Sequence, residues 1–306
     1  LMRRSRLRFG SAGTRCARAT SAYARRTARC GPADRPGAAD VRTRADGVRT
    51  GQPGVRGHGR RQRRVRRGAG GIENLSLIPG TVGAAPVQNI GAYGAEVKET
   101  IKEVHAFDFE IDSEQGREKV FSNTDCKFGY RDSVFKKFRK GRMLITSVIF
   151  TLSKLPPKIP TYAGVEQALT TAEGKNLLEK IRNAITAIRW SKLPRPDQIP
   201  NVGSFFKNAI VTKAVADTLK ISHPDLPLFM LSENEYKVPT GWLIENVGMK
   251  GISDETGKVS TYEKNALVLV NKGDSTKALL HFAHEIQQKI KAEFNIDIEI
   301  EPELVD

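Results

Sequence analysis

IPGTVGAAPVQNIGAYG, Ile78 to Gly94, places Gly80, Gly83, Gly91 and Gly94 among small and amide residues without a single charged side chain. Glycines leave backbone amides open, so such a loop can approach a phosphate with no side chain in between. The same glycines also serve a pair of tight turns, and glycine count alone favours that plainer reading. The spacing is not G-x-G-x-x-G, which argues against a Rossmann domain.

On the C-terminal side of this loop, Thr100 to Glu110 and Arg142 to Ser153 read as strands, with Leu144, Thr146, Val148, Phe150 and Leu152 sharing one face. Lys175 to Trp190 repeats Leu177, Ile181, Ile185 and Ile188 at helical spacing. Leu193 to Pro200 holds three prolines in eight residues and reads as an interdomain linker. Beyond it we expect a helix around Ala214 to Leu219, a strand at Asn265 to Asn271 and a helix opening at Asp274 or Ser275. In that last helix Leu279, Ala283, Ile286 and Ile290 form the buried stripe. Ile296, Ile298 and Ile300 alternate with Asp297, Glu299 and Glu301, the pattern of a half-buried closing strand. Strands and helices mixed in two blocks give the α+β class.

The net charge of +16 is not a property of the whole chain. Of 50 basic and 34 acidic residues, 20 Arg and 3 Asp fall in residues 1–70, so 30 and 31 remain from 71 onward. Those first 70 residues contain no Lys, Glu, Ile, Trp or Asn, a composition unable to bury a core of its own. Runs such as Arg60, Arg61, Arg63, Arg64, Arg66 and Arg67 suit a disordered arm that binds nucleic acid through phosphates. A transit peptide would also be rich in Arg, but the stretch is long and broken by Gly and Pro. The abrupt change at Gly71, the start at Leu1 and the Arg, Ala, Gly and Pro bias favour a GC-rich gene read out of frame. Cys126 stands alone outside that segment, so no disulfide framework is expected and a reducing cytosol fits. A mean hydropathy of -0.40 gives no reason to expect a membrane span. His105, His223, His281 and His284 lack metal-site spacing, and no metal is expected.

Four blocks in order resemble the UDP-N-acetylenolpyruvoylglucosamine reductases, in their longer branch. They are GIENLSLIPGTVGAAPVQNIGAYGAEV from Gly71, FGYRDSVFK from Phe128, SKLPRPDQIPNVGSFFKN from Ser191 and IEPEL from Ile300. The resemblance implies an FAD-binding domain of the vanillyl-alcohol-oxidase type, of which 71–192 is the second part, then a linker at 193–200 and an α+β substrate-binding domain at 201–306. It implies FAD as cofactor, NADPH as hydride donor and the enolpyruvyl ether of UDP-N-acetylglucosamine as small-molecule substrate. The implied setting is a cytoplasmic monomer in peptidoglycan synthesis, with no membrane or nucleic-acid partner.

Residue by residue, the resemblance carries over a catalytic trio of Arg131, Ser204 and Glu303. Hydride arriving beside a carboxylate leaves an enolate-like dianion, which a guanidinium can hold with two bonds. Arg131 matches that role; by itself, next to Asp132, it reads as a surface ion pair. Ser204 matches the proton donor, and Glu303 assists. Gly80, Thr81, Gly83, Asn89 and Gly91 would contact the flavin. Tyr93, Tyr130, Lys192, Asn208 and Lys250 match substrate-binding positions, and Tyr162 matches a tyrosine on a loop covering the diphosphate. The first glycine-rich loop of such a flavin domain would precede Gly71, where the arginine-rich stretch stands, so weak FAD binding is expected. An oxidoreductase of the same flavin class with another substrate is the nearest rival, an inactive remnant of the enzyme is a further alternative, and a basic nucleic-acid-binding protein through residues 1–70 a more distant one.

Overall fold

The structure, a computed structural model, describes residues 69–111, 114–162, 164–273 and 275–304, together with the backbone of 38–44; at 114–115 too only the backbone is described. The first half is organised by one antiparallel sheet. Its strands are β1 (Ala38–Arg44), β4 (Ile101–Asp108), β5 (Glu118–Ser122) and β6 (Met143–Ser153), in the order β1-β6-β4-β5. The short hairpin β2 (Gly91–Ala92) and β3 (Ala95–Glu96) lies between β1 and β4 in the chain.

Ala38–Arg44, inside the stretch expected to lack order, pairs along β6 from Ala38↔Ser153 to Arg44↔Ser147. Backbone hydrogen bonds on an open sheet edge need no apolar core from the strand that joins. The readings of residues 1–37 and 45–68 as disordered, frame-shifted or nucleic-acid-binding fall outside the described residues.

Alternation along β6 also breaks where the sequence suggested it would continue. Val148, Phe150 and Leu152 are buried together as expected, but Thr146 is exposed while Ile145 and Ser147 are buried. The pairing jumps from His105↔Ser147 to Ala106↔Ile145, so Thr146 is the extra residue of a β-bulge. One extra residue reverses the facing of everything before it. Asp108, at the end of β4, has no solvent-exposed side chain and receives Arg142 Nε at 2.9 Å and Nη2 at 3.0 Å, a two-pronged bond that ties β4 to the start of β6.

Two short helices, α1 (Glu114–Arg117) and α2 (Val165–Thr171), lead to the long α3 (Leu177–Lys192). Asn176 caps α3, its side chain accepting from the Glu179 amide at 3.0 Å. Leu178 rather than Leu177 joins Ile181 and Ile185 in the buried stripe, a shift of one position at the helix start.

The second half carries two three-stranded antiparallel sheets around one core. The first orders β8 (Ala209–Thr212), β10 (Glu235–Val238) and β9 (Phe229–Met230); the second orders β11 (Val259–Tyr262), β12 (Asn265–Asn271) and β7 (Asn201–Ser204). Helices α4 (Lys213–Ser222), α5 (Thr240–Asn246) and α6 (Thr276–Phe294) complete it, with Phe206, Phe282, Leu243, Ile244 and Ile286 at its centre. Each such phenylalanine contributes about 1.5–3 kcal/mol by leaving water. Ser275 caps α6 through the Ala278 amide at 3.1 Å; Asp274, the other expected start, lies outside the described residues.

After α6, Asn295 at φ 54° turns the chain back. Ile296 and Ile298 are buried as the alternation requires, yet the expected closing strand is reduced to an isolated bridge between Phe206 and Ile300. Lys207 N donates to Glu299 O at 2.9 Å and Glu301 N to Phe205 O at 2.9 Å, and these bonds fix the tail beside Phe205 and Phe206. The α+β class stands.

The Arg142 bond holds the Asp108 carboxyl below the usual carboxylate range, against the opposing effect of burial. A depressed folded pKa gives stability that is complete above the unfolded value of about 4 and is lost as pH falls through the lower, folded one. Asp108→Asn is therefore expected to lower the urea midpoint at pH 7, with the gap to the parent closing below about pH 4. A gap that stays constant from pH 7 to 3 would exclude the carboxylate as its source.

Candidate active site

A cavity of about 770 Å³ opens where the loop 77–91, the end of α3, the proline-containing segment 193–196 and β7 meet. Arg131 and Tyr130 enter it from the first half, and Ser204, Phe206, Asn208 and Glu301 from the second.

Arg131 sits on a tight turn closed by the Gly129↔Asp132 bridge, with its own φ at 53°. That left-handed conformation is uncommon for a non-glycine residue. Its Nη2 donates to the Gly91 carbonyl at 2.8 Å and its Nε to Glu301 Oε1 at 3.0 Å, while the guanidinium lies 5.2 Å from the centre of the Tyr130 ring. Asn89, fully buried, holds the loop behind it by donating to Gly129 O at 2.8 Å and Glu96 Oε2 at 2.9 Å and accepting from Lys98 N at 3.1 Å.

Ser204 ends β7 between two devices that fix its direction. On one side Gly203 adopts φ 81°, a value glycine takes without strain, and its amide donates to Asn201 Oδ1 at 2.9 Å. On the other, Phe205 and Phe206 are buried in the core. The Ser204 hydroxyl makes no hydrogen bond to a described residue, so its proton is free for a ligand in the cavity. Asn208 is oriented by Thr240, whose backbone amide donates to Asn208 Oδ1 at 3.1 Å and whose hydroxyl donates to Lys207 O at 2.7 Å. The backbone N–H of Asn208 in turn donates to Tyr130 Oη at 3.3 Å across the two halves. Burial raises the Tyr130 phenol above its ordinary pKa, partly offset by Arg131, so Tyr130 stays a neutral hydrogen-bonding group.

The expected residues divide clearly. Arg131, Ser204, Tyr130, Asn208, Thr81 and Gly91 line the cavity. Gly80, at φ 106°, borders open space beside Thr81, whereas Gly83 and Asn89 are buried behind the loop and shape it. Tyr93 and Tyr162 pack edge to face at 5.3 Å outside the lining. Lys192 is exposed at the end of α3, and Lys250 pairs with Glu245 at 2.9 Å on the surface. Glu303 is not brought to Arg131 and Ser204. Its carboxylate meets Lys140 at 2.8 Å and is 44% exposed, while Glu301, two residues earlier and 16% exposed, is the carboxylate at the cavity.

Sequence reading missed Glu301, Gln88, Arg189 and Thr240. Arg189 continues the stripe Ile181, Ile185 at a spacing of four, and an arginine on a buried helical face is itself a signal. It is hydrogen-bonded to Tyr93, burial pulls its pKa down, and its Nε is buried without a partner among the described residues. No group of three or more His, Cys, Asp or Glu among the described residues could hold a metal, and Cys126 is buried with its thiol pushed up to about 12 by desolvation.

Comparison with known proteins decides the family. The sequence profile described as UDP-N-acetylenolpyruvoylglucosamine reductase, C-terminal domain, matches residues 195–305. The UDP-N-acetylenolpyruvoylglucosamine reductase of Bdellovibrio bacteriovorus is 46% identical over 233 residues, covering 76% of this chain and 67% of that protein. The chain belongs to the UDP-N-acetylenolpyruvoylglucosamine reductase family. The relative from Chromobacterium violaceum is 43% identical over 248 residues, covering 80% of this chain and 71% of its own length. Among solved structures, the reductase of Thermus caldophilus is 21% identical with a TM-score of 0.50, covering 79% of this chain and 66% of that one, a likeness of fold. The chain thus spans about two thirds of the length of these relatives, in a family of oxidoreductases. Among the described residues no helix is long and apolar enough to cross a membrane.

A side chain at Gly91 would place its Cβ 2.9 Å from Arg131 Nη1 and 3.0 Å from the Ala95 carbonyl. Gly91→Ala is expected to cost about 1–3 kcal/mol in urea unfolding, the usual range for overpacking. A loss below about 0.5 kcal/mol, the scatter of neutral surface changes, would show that Arg131 moves away freely.

Proposed function

We propose that the chain reduces the enolpyruvyl ether of UDP-N-acetylglucosamine to UDP-N-acetylmuramate, with NADPH as hydride donor and FAD as carrier, in peptidoglycan precursor synthesis. The observation that carries this reading is the meeting of Arg131 and Ser204, contributed by different halves of the chain, on one cavity.

Two features fit FAD. The buried Nε of Arg189 is a donor in want of an acceptor, and the uncharged loop 78–91 presents Thr81, Gly91 and the open flank of Gly80 to the cavity. These residues, in a domain of the vanillyl-alcohol-oxidase type, would hold the flavin, with Gly83 and Asn89 shaping the loop from behind. Where the earlier glycine-rich loop of such a domain would stand, the sequence carries the arginine-rich stretch, most of it outside the described residues, so the half of the flavin site in hand is the loop 78–91. When bound, FAD supplies the hydride that reaches the vinyl carbon distal to the carboxylate.

The chain's own residues handle charge and proton. Arg131 binds the enolpyruvyl carboxylate and, because its guanidinium is always charged, stabilises the second negative charge that develops on those oxygens as hydride adds. Ser204 Oγ donates a proton to the carbon bearing the carboxylate; an alcohol suffices because that enolate is strongly basic. Tyr130 and Asn208 line the substrate side. Lys192, Lys250, Tyr93 and Tyr162 lie outside the cavity walls, Tyr162 46% exposed, where they could meet the UDP portion. Glu303, the third residue of the trio, meets Lys140 outside the cavity lining and is given no step in this reading.

The test adds saturating FAD, NADPH and the enolpyruvyl UDP sugar to the full chain and follows NADPH absorbance with and without the sugar. Sugar-dependent NADPH loss is expected, and its absence would sink the proposal. Ser204→Ala should lower kcat by roughly 10²–10⁴, the range for a positioned proton donor, with KM for the sugar little changed. Unaltered kcat in that variant would remove Ser204 from the proton step.

A further inference from the structure

Arg131 has five N–H donors arranged along a planar fork, and the inner edge of that fork is already occupied. Nε donates to Glu301 Oε1 at 3.0 Å and Nη2 to the Gly91 carbonyl at 2.8 Å. Nη1 has no hydrogen-bond partner among the described residues. The outer edge, Nη1 and the second hydrogen of Nη2, is thus the part of Arg131 left for a ligand in the cavity that it lines.

Glu301 is itself fixed from both halves of the molecule. Its amide donates to Phe205 O at 2.9 Å, beside the fully buried Phe206, and Gln88 Nε2 donates to the same carboxylate oxygen at 3.4 Å. Lys136 Nζ holds Gln88 in turn, through Oε1 at 3.2 Å, and also reaches Arg131 O at 3.3 Å. Ion-pair side chains at 18% and 16% exposure are screened far less than those on the open surface. By contrast the neighbouring pair Lys140–Glu303 is 58% and 44% exposed.

We propose that Glu301 is a positioning residue: it fixes the inner edge of the Arg131 guanidinium so that the outer edge is presented to the carboxylate of the substrate. The inference rests on the reductase reading above. It assigns to Glu301 a task separate from proton transfer, since this carboxylate acts on the arginine and not on the reacting carbon. A guanidinium free to rotate about its long side chain would meet a carboxylate with one bond in place of two, and the second bond supplies the preference for that ligand.

The experiment needs neither flavin nor turnover. The full chain is titrated by calorimetry with the enolpyruvyl UDP sugar and, separately, with UDP-N-acetylglucosamine, which lacks the carboxylate; the ratio of the two Kd values reads the carboxylate's contribution. The parent should favour the enolpyruvyl ligand by about 10-fold or more, the lower range of a charge-assisted bond. Glu301→Ala should bring the ratio to within about 3-fold while leaving the UDP-N-acetylglucosamine Kd unchanged. Glu301→Gln should keep an intermediate ratio, because its amide oxygen still accepts from Nε. Lys140→Ala, which breaks a different contact between the halves, should keep the parent ratio. Preserved or increased preference in Glu301→Ala overturns the proposal. An equal loss in Lys140→Ala, or loss of both ligands in Glu301→Ala, overturns it in favour of a plain structural contact. A parent that binds both ligands without preference, or neither, overturns the reductase reading and this inference together.

Discussion

The guanidinium of Arg131 is gripped by acceptors from distant parts of the chain, the carbonyl of Gly91 and the carboxylate of Glu301, and the cavity takes its shape from that grip. Three elements must be placed before it can form. The loop 77–91 must bring Gly91 in with no side chain at its Cα, since a Cβ there would come within 2.9 Å of Nη1. The 129–132 turn must hold Arg131 itself at positive φ. The C-terminal tail must be tied down along Phe205 to deliver Glu301. Each of these is irregular backbone, and irregular backbone keeps one shape only when a rigid body supports it.

That support comes from the two apolar cores. In the first half, Asn89 acts as a buried polar pin: its side chain makes three hydrogen bonds, so the loop has few alternatives that do not leave a buried amide unsatisfied. In the second half the pins are apolar, with Ser204 held by Phe205 and Phe206 and the tail held by Ile296 and Ile298. Precision at the cavity is therefore inherited from packing at some distance from it. Tyr130 and Asn208, which bond across the boundary at 3.3 Å, register the two bodies against each other.

Much of this was legible in the sequence where periodicity or an explicit motif spoke. The helix at 177–192, the strand at 265–271 and the capped helix after Ser275 follow from spacing and capping chemistry that local interactions enforce. The ordered blocks pointed to Tyr130 and Arg131 together with Ser204 and Asn208, which line one cavity although more than 70 positions separate the first two from the last two. What escaped were features set by tertiary contact. Thr146 left the β6 alternation because a bulge is decided by the pairing strand, not by β6. The strand character of Ala38–Arg44 came from an open sheet edge that its own composition cannot announce. Glu301 was assigned by alternation to a solvent face, correctly with respect to Ile300, but that face is covered by the 131–140 segment of the other half.

The tail shows how identical charges spaced two apart acquire different consequences. Glu299, Glu301 and Glu303 lie on one side of an extended segment and each meets a cation, Lys207 at 2.6 Å, Arg131 at 3.0 Å and Lys140 at 2.8 Å. Distance alone would rank them alike. Exposure separates them: Glu299 is 74% exposed and Glu303 44%, so water and salt screen both pairs, and such contacts contribute about 0–1 kcal/mol. Only at Glu301 are both partners largely removed from water, and there a lost partner would leave an uncompensated charge at the cavity wall, a far larger penalty. A C-terminal carboxylate is ordinarily solvated and inert; burial by another part of the chain makes this one consequential. Where burial rather than residue type confers the role, a motif such as IEPEL marks the region, and the packed structure selects the carboxylate within it.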